Sequence, residues 1–475
     1  MRKPELFFLH ASPLSAIFFA FVLAACNIEK KEAADRAEKP NIILIVADDL
    51  GYNDLGVYGQ EQISTPHLDQ MAEEGMRFTN FYAGSTVCAP ARSVLMTGQH
   101  AGRTHVRGNR EVSPMGQEPL PDSTVTIGEL MQEAGYKTGL FGKWGLGGPD
   151  SPGVPNKQGF DEFFGYLCQR HAHNYYPEFL FRNGEKVMLQ NVVENDRTDG
   201  AGVAVKKEEY SHTLIMEEAM QFIEDNSKQP FFLMLTPTLP HANNEGGSDG
   251  MEVPKQGEYA NNDWPESEKN FAAMITLLDA DVGNLFRKLQ EVGIDKHTLV
   301  IFTSDNGPHR EGGHSPDHFD SNGPLRGIKR DLYEGGIRVP MIAWWPGKIK
   351  AGSVSDHIGY GGDFLATAAE LTGSSTPEDI QSRSLLPTLL ANGEEQETHT
   401  YLYWEFYENN PHQAARIGRH KAIRKPIFSG TTELYDLDED PGEQYNIANA
   451  HPEIVEQMES IMDEAHRPSA IWIAD

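Results

Sequence analysis

Three apolar runs, each ending at a polar cluster, limit what this chain can fold into. Asn41–Ala47 reads NIILIVA and ends at Asp48-Asp49. Thr298 to Thr303 reads TLVIFT and ends at Ser304-Asp305-Asn306-Gly307, and Pro230 to Thr236 reads PFFLMLT and leads into Pro237 to His241. Continuous runs of branched and aromatic residues mark strands buried on both faces, as in parallel sheets. Helical patterns alternate with them. Residues 65–75 place Leu68, Met71 and Ala72 at helical spacing, with Pro66 near the start and Gly75 past the end. Residues 127–135 read similarly, and 271–293 carry Met274, Leu277, Leu278, Val282, Leu285 and Leu289 on one face. The alternation predicts a doubly wound α/β domain over residues 40–393. Ligands in such sheets sit beyond the carboxyl ends of the strands, so the three clusters are expected to meet in one crevice.

From about Glu394 the texture changes. Tyr401 to Phe406, Ala414 to Arg424 (with exposed basic residues) and Glu433 to Leu437 read as three short strands, and His451 to Ala465 as a helix. Residues 394–475 are therefore expected to form a small sheet-plus-helix unit docked on the first.

The N-terminus reads as a targeting segment. Arg2 and Lys3 precede an apolar run, Leu14 to Ala25, too short for a transmembrane helix. It ends in Leu23-Ala24-Ala25-Cys26, which resembles a bacterial lipobox, with a plain secretory signal as the alternative. Residues 1–26 are thus expected to be a lipoprotein signal, 27–39 a charged, Ala-rich tether, and the protein an envelope lipoprotein touching the membrane only through its lipid.

A formal net charge of −30 argues against nucleic acid as a partner. If the substrate is itself an anion, cations must be gathered locally. Of three cysteines, Cys26 is reserved for lipid; a Cys88–Cys168 disulfide is open to an exported protein, but the motif around Cys88 points to another use.

That motif is Cys88-Ala89-Pro90-Ala91-Arg92, followed by Leu95-Met96-Thr97-Gly98. It resembles the signature of the type I sulfatases, which implies an alkaline-phosphatase-like fold. It also implies oxidation of Cys88 to formylglycine by a separate formylglycine-generating enzyme. Pro90 suits a first helical turn, which would place residue 88 at a helix N-terminus suited to an anion. Asp48, Asp49, Asp305 and Asn306 form a hard-oxygen set for Ca²⁺ or Mg²⁺, with residue 88 completing it.

The same resemblance assigns Lys143 and Lys329 to sulfate, and His241 to sulfate and the leaving oxygen. Arg92 is a fixed cation, and His241 or Lys329 is the general acid. The chain departs from the family where a histidine often follows Lys143-Trp144: here Gly145 stands, leaving His105, His309 and His314 as candidate bases. Gln99 stands where arginine is common. Segments around Arg103 and His105, Arg170, His171 and His173, and His309 combine cations, amides and aromatics suited to sugar recognition. The expected activity is removal of sulfate from a sulfated carbohydrate, an algal polysaccharide or a glycosaminoglycan. The alternatives are a phosphodiesterase or phosphonate hydrolase of the same superfamily, and a catalytically silent glycan-binding lipoprotein.

Overall fold

The computed structural model describes residues 39–194 and 198–473. The expected signal peptide, the lipobox and all of the tether but Lys39 lie outside the described residues.

Asn41–Ala47 is a strand buried along its whole length. It pairs in parallel with Phe231–Thr236 on one side and Thr298–Ser304 on the other, so that Ile42 faces Phe232 and Leu299. These three are the centre of a ten-stranded mixed sheet among the described residues. Beyond Phe231–Thr236 the sheet continues through Lys137–Lys143 and Glu162–Tyr166, both parallel, to an antiparallel edge. Beyond Thr298–Ser304 it continues through antiparallel Met341–Trp344.

Alternation along the first strand separates two cores. Ile43 and Ile45 join the core holding the helices Pro66–Glu74, Ser211–Asn226 and Glu266–Glu291. Ile42, Leu44 and Val46 join the core holding Ile127–Glu133 and Asp363–Thr372. Successive strand residues point to opposite faces, and helices cover both, so the doubly wound expectation holds.

Helix ends differ from the periodic pattern where polar residues carry them. The long helix begins at Glu266, five residues before its first apolar position, because Glu268 is buried to bond His314 Nδ1 (2.6 Å) and the Ser315 N–H (2.9 Å). Its Asp279 also accepts from the N–H groups of His67 (3.0 Å) and Leu68 (2.7 Å), capping a helix whose own Thr65 supplies no cap.

The C-terminal sheet has four antiparallel strands: Leu402–Phe406, His412–Ile417, His420–Lys425 and Thr431–Asp436. The expected single strand over 414–424 is a hairpin, reversed at Gly418, whose φ of 52° a side chain resists. Of its basic residues, expected to be exposed, Arg419 is, whereas Arg416, Lys421 and Arg424 are buried: Lys421 Nζ lies 2.9 Å from Glu334 and 3.0 Å from Glu443, and Arg424 pairs with Asp463. One face of this sheet packs Trp404 and Phe406 on Tyr82, Val94 and Ile337 of the larger body; the other packs on Met458 and Met462 of the helix Pro452–Ala465.

Candidate active site

The carboxyl ends of four strands bring the clusters together. Asp48 and Asp49 follow Ala47, and the Asp305 N–H donates to the Ala47 carbonyl at 3.0 Å. The Asp48 N–H donates to Leu239 O at 3.1 Å, which ties in the loop carrying His241. Lys143 is the last residue of its strand.

Cys88 is the first residue of the buried helix Cys88–Thr97. Its Sγ lies 3.3 Å from Asp48 Oδ1, and the neighbouring Ala89 N–H donates to Asn109 Oδ1 at 3.0 Å. Burial first, then the Asp48 charge, push the Cys88 thiol well above its ordinary pKa, so it is held neutral. Cys168 is also free, so no disulfide joins the two.

Cations interleave with the carboxylates. Lys143 Nζ meets Asp48 Oδ2 at 2.6 Å. Arg92 Nη2 and Nε donate to Asp305 Oδ2 at 2.9 and 3.2 Å, while its Nη1 donates to the Lys143 carbonyl at 2.6 Å. Arg92 is therefore a locked brace. Lys329 Nζ meets Asp49 Oδ2 at 2.7 Å, His241 Nε2 at 3.1 Å and Glu311 Oε2 at 3.4 Å. Burial would raise the Asp48 pKa, but the charges of Lys143 and then Arg92 hold it well below the carboxylate range. Asp305 goes the other way, pushed up to about 7 by burial and then by Asp48. His241 is lowered to about 3 by burial and then by Lys329, so it is neutral.

The oxygen donors at the site suit a hard cation. Ligand atoms of Asp48, Asp49, Cys88 and His241 lie within 4.8 Å of one another. Asn306 Nδ2 donates to Asp49 Oδ1 at 2.6 Å, which leaves its Oδ1 buried without a hydrogen-bond partner among the described residues. A buried, unpaired amide oxygen beside carboxylates is what Ca²⁺ or Mg²⁺ takes up.

Gly145 is explained by a residue remote in sequence. Its φ is 82°, and a Cβ there would lie 2.7 Å from both Cγ and Nε2 of Gln169. Gln169 fills the space a side chain at 145 would take, and its buried Nε2 finds no partner among the described residues. None of the three candidate histidines hydrogen-bonds Cys88. His309 is fully buried with both ring nitrogens on backbone, Nε2 to Pro240 O (3.2 Å) and Nδ1 to the Glu311 N–H (3.0 Å). His314 stacks on Phe271 at 3.6 Å, and His105 faces Glu118 at 3.4 Å. Gln99 bonds the Asp379 carbonyl at 3.1 Å.

The residues suggested for sugar contact divide. His173 stacks on His241 at 4.7 Å and, with Arg170, holds Glu245 at 3.3 and 2.9 Å, so both stand beside the cluster. His171 does not reach solvent: it is fully buried against Tyr166, Phe179 and Phe181, with both ring nitrogens unpartnered among the described residues. His309, equally buried, is a strut and not a surface contact. Arg103 pairs with Asp379 at 2.9 Å, away from the cluster's own contacts. Asn109, Gln169 and Glu311 lie within the segments suited to sugar recognition, but their own contacts were not legible in the sequence, because their partners come from segments distant in the chain.

A doubly wound mixed sheet with carboxylates, lysines and a helix-borne cysteine beyond its strands defines an alkaline-phosphatase-like hydrolase. The chain belongs to the sulfatase family: the sulfatase model matches residues 40–374, and the N-sulphoglucosamine sulphohydrolase C-terminal model matches 328–467. It is an enzyme that hydrolyses sulfate esters. Human N-acetylgalactosamine-6-sulfatase is 31% identical over 90% of this chain and 85% of its own. The N-acetylgalactosamine-6-O-sulfatase of Bacteroides thetaiotaomicron is 30% identical over 93% and 96%. The crystal structure of Ps i-CgsB in complex with k-i-k-neocarrahexaose is 26% identical, with a TM-score of 0.75 over 92% of this chain and 95% of that one.

Proposed function

We propose that this sulfatase removes sulfate from a sulfated sugar. Residue 88 is converted to formylglycine, and one Ca²⁺ or Mg²⁺ is held by Asp48, Asp49, Asp305 and Asn306 beside it. The observation that carries the reading is the charge balance around Cys88. Three carboxylates, of Asp48, Asp49 and Asp305, contact three cations, Arg92, Lys143 and Lys329. With all three carboxylates ionised the set is neutral, so a bound dication, which favours that ionised form, would leave the excess positive charge that a sulfate ester and an ionising nucleophile need. Formylglycine supplies a hydrated aldehyde, one hydroxyl of which can attack sulfur while the other can later expel sulfate. The cation supplies charge neutralisation.

The chain's own residues bind and move protons. Lys143 and Lys329 offer two ammonium groups to a sulfate lodged at residue 88. Arg92 keeps Asp305 and the Lys143 carbonyl in place. Lys329 is the proton donor to the departing sugar oxygen. His241 cannot fill that role as it stands, because its Nδ1 is held by the Ala242 carbonyl at 2.6 Å and its Nε2 accepts from Lys329.

Relatives named for N-acetylgalactosamine 6-sulfate, and a neighbour bound to a neocarrahexaose, support a galactose-type sugar, from a glycosaminoglycan or an algal galactan. The lipobox-like Leu23-Ala24-Ala25-Cys26 supports export as a lipoprotein.

Peptide mass spectrometry over residue 88, after co-expression with a formylglycine-generating enzyme, tests the nucleophile. A mass about 18 Da below that of cysteine is expected from exchanging a thiol for an aldehyde. Cys88→Ala should abolish desulfation of a sulfated oligosaccharide panel while leaving the circular dichroism unchanged. An unmodified thiol in an active enzyme would overturn the reading.

A further inference from the structure

Two charged side chains at the mouth of the cluster have no part in the scheme above. Glu311 Oε2 lies 3.4 Å from Lys329 Nζ and 3.9 Å from His241 Nε2, and its Oε1 lies 2.7 Å from Arg330 Nη1. The carboxylate is aimed from behind: its own N–H donates to His309 Nδ1, and the other nitrogen of that buried ring bonds Pro240 O. Arg330 is held at φ 79°, a conformation a non-glycine residue resists, with its N–H on the Thr86 carbonyl at 3.1 Å.

Exposure places the pair on the outer side of the cluster. The side chain of Glu311 is 17% exposed and that of Arg330 41%, against 3% for Lys329 and His241. If the sulfate lies among the buried cations and its leaving oxygen faces Lys329, the sugar must extend outward past Glu311 and Arg330. A carboxylate accepts from a hydroxyl and a guanidinium donates to one, a combination suited to a neutral polyol. It is unsuited to a second sulfate, since the Arg330 charge is already matched by Glu311.

We infer that Glu311 and Arg330 form the subsite that reads the free hydroxyl nearest the scissile ester, and that they disfavour sugars sulfated at that hydroxyl. The inference rests on the reading of the enzyme as a sugar sulfatase with Lys329 on the leaving-oxygen side.

The test is a cycle between protein and substrate, run on the mature holoenzyme. The substrate is whichever of the isomeric monosulfates of methyl galactoside and methyl N-acetylgalactosaminide is turned over fastest. It is compared with its analogue deoxygenated at the nearest hydroxyl. Glu311→Ala is expected to lower kcat/KM on the intact sugar roughly 10- to 100-fold, mainly through KM, as for a hydrogen bond to a charged group. Wild type should lose at least a similar factor on the deoxy analogue, and the variant should lose clearly less. Inorganic sulfate should compete against the variant at least as well as against wild type, because an anion beside Lys329 has gone. Arg330→Ala should likewise lower kcat/KM more on the intact sugar than on the deoxy analogue. Losses that multiply across the cycle overturn the inference. So does weakened competition by sulfate, which would make Glu311 a prop for Lys329. A wild-type enzyme that hydrolyses an aryl sulfate but no sulfated sugar would overturn the sugar-sulfatase reading, and this subsite with it.

Discussion

Nζ of Lys329 lies 3.1 Å from Nε2 of His241, and the other nitrogen of that ring is 2.6 Å from the Ala242 carbonyl oxygen. A neutral ring carrying its proton on Nδ1 satisfies both contacts, which supports the proposed role of Lys329 as the proton source. Lys329→Met is therefore expected to lower kcat on sugar sulfates roughly 10²–10⁴-fold, the usual range for a lost general acid. Hydrolysis of 4-nitrophenyl sulfate, whose leaving group needs no proton, should fall at least about ten-fold less. Steady-state kinetics on both substrates decide it, and equal losses would remove Lys329 from the role.

Gly145→His should fail structurally. The new Cβ meets Gln169 at 2.7 Å and the φ of 82° disfavours any side chain. A loss of about 1–3 kcal/mol is expected from overpacking and strain. Denaturant titration of Gly145→His alone and combined with Gln169→Ala separates the two causes: the second change should recover the steric part and leave the backbone part.

His171 gives the fold a sensitivity to acid. Burial lowers its pKa to about 3, from an ordinary value near 6.5. The unfolded chain therefore binds a proton below about pH 6.5 that the folded chain refuses, and stability falls as pH drops from there toward 3. His171→Leu removes this contribution. Between pH 7.5 and pH 5 the variant should lose about 2 kcal/mol less stability than wild type, at about 1.4 kcal/mol per pH unit below 6.5. Parallel pH dependences would show that the ring is protonated in the folded state.

Lys421 bridges Glu334 and Glu443, at 2.9 and 3.0 Å, with all three side chains fully buried. Glu334 belongs to the larger body and Lys421 to the C-terminal sheet, so the pair fastens one to the other. Lys421→Met takes the cation from Glu443 and leaves Glu334 to Arg338 (3.4 Å) alone, and should cost about 3–5 kcal/mol. Replacing all three by apolar residues should cost far less. Chemical denaturation of the single and triple variants checks the contrast.

The sequence by itself determined the central strands, the residues that end them and the residue types at the site. A buried parallel strand must be apolar throughout, and Asp48, Asp49, Asp305 and Asn306 follow such strands directly along the chain. Cys88 and Pro90 announced their helix start for the same local reason. Only the tertiary structure decided which loop residues reach that rim. Nothing near Gly145 in sequence foretells that Gln169 takes its space, nor does anything near Glu311 foretell Lys329 and Arg330 as partners. The histidines show the limit most clearly. His171 and His173 are two residues apart in one motif, yet one is sealed among aromatics and the other stacks on His241. Composition and spacing record what a residue can do, whereas burial and partners come from sheet register and packing between segments distant in the chain.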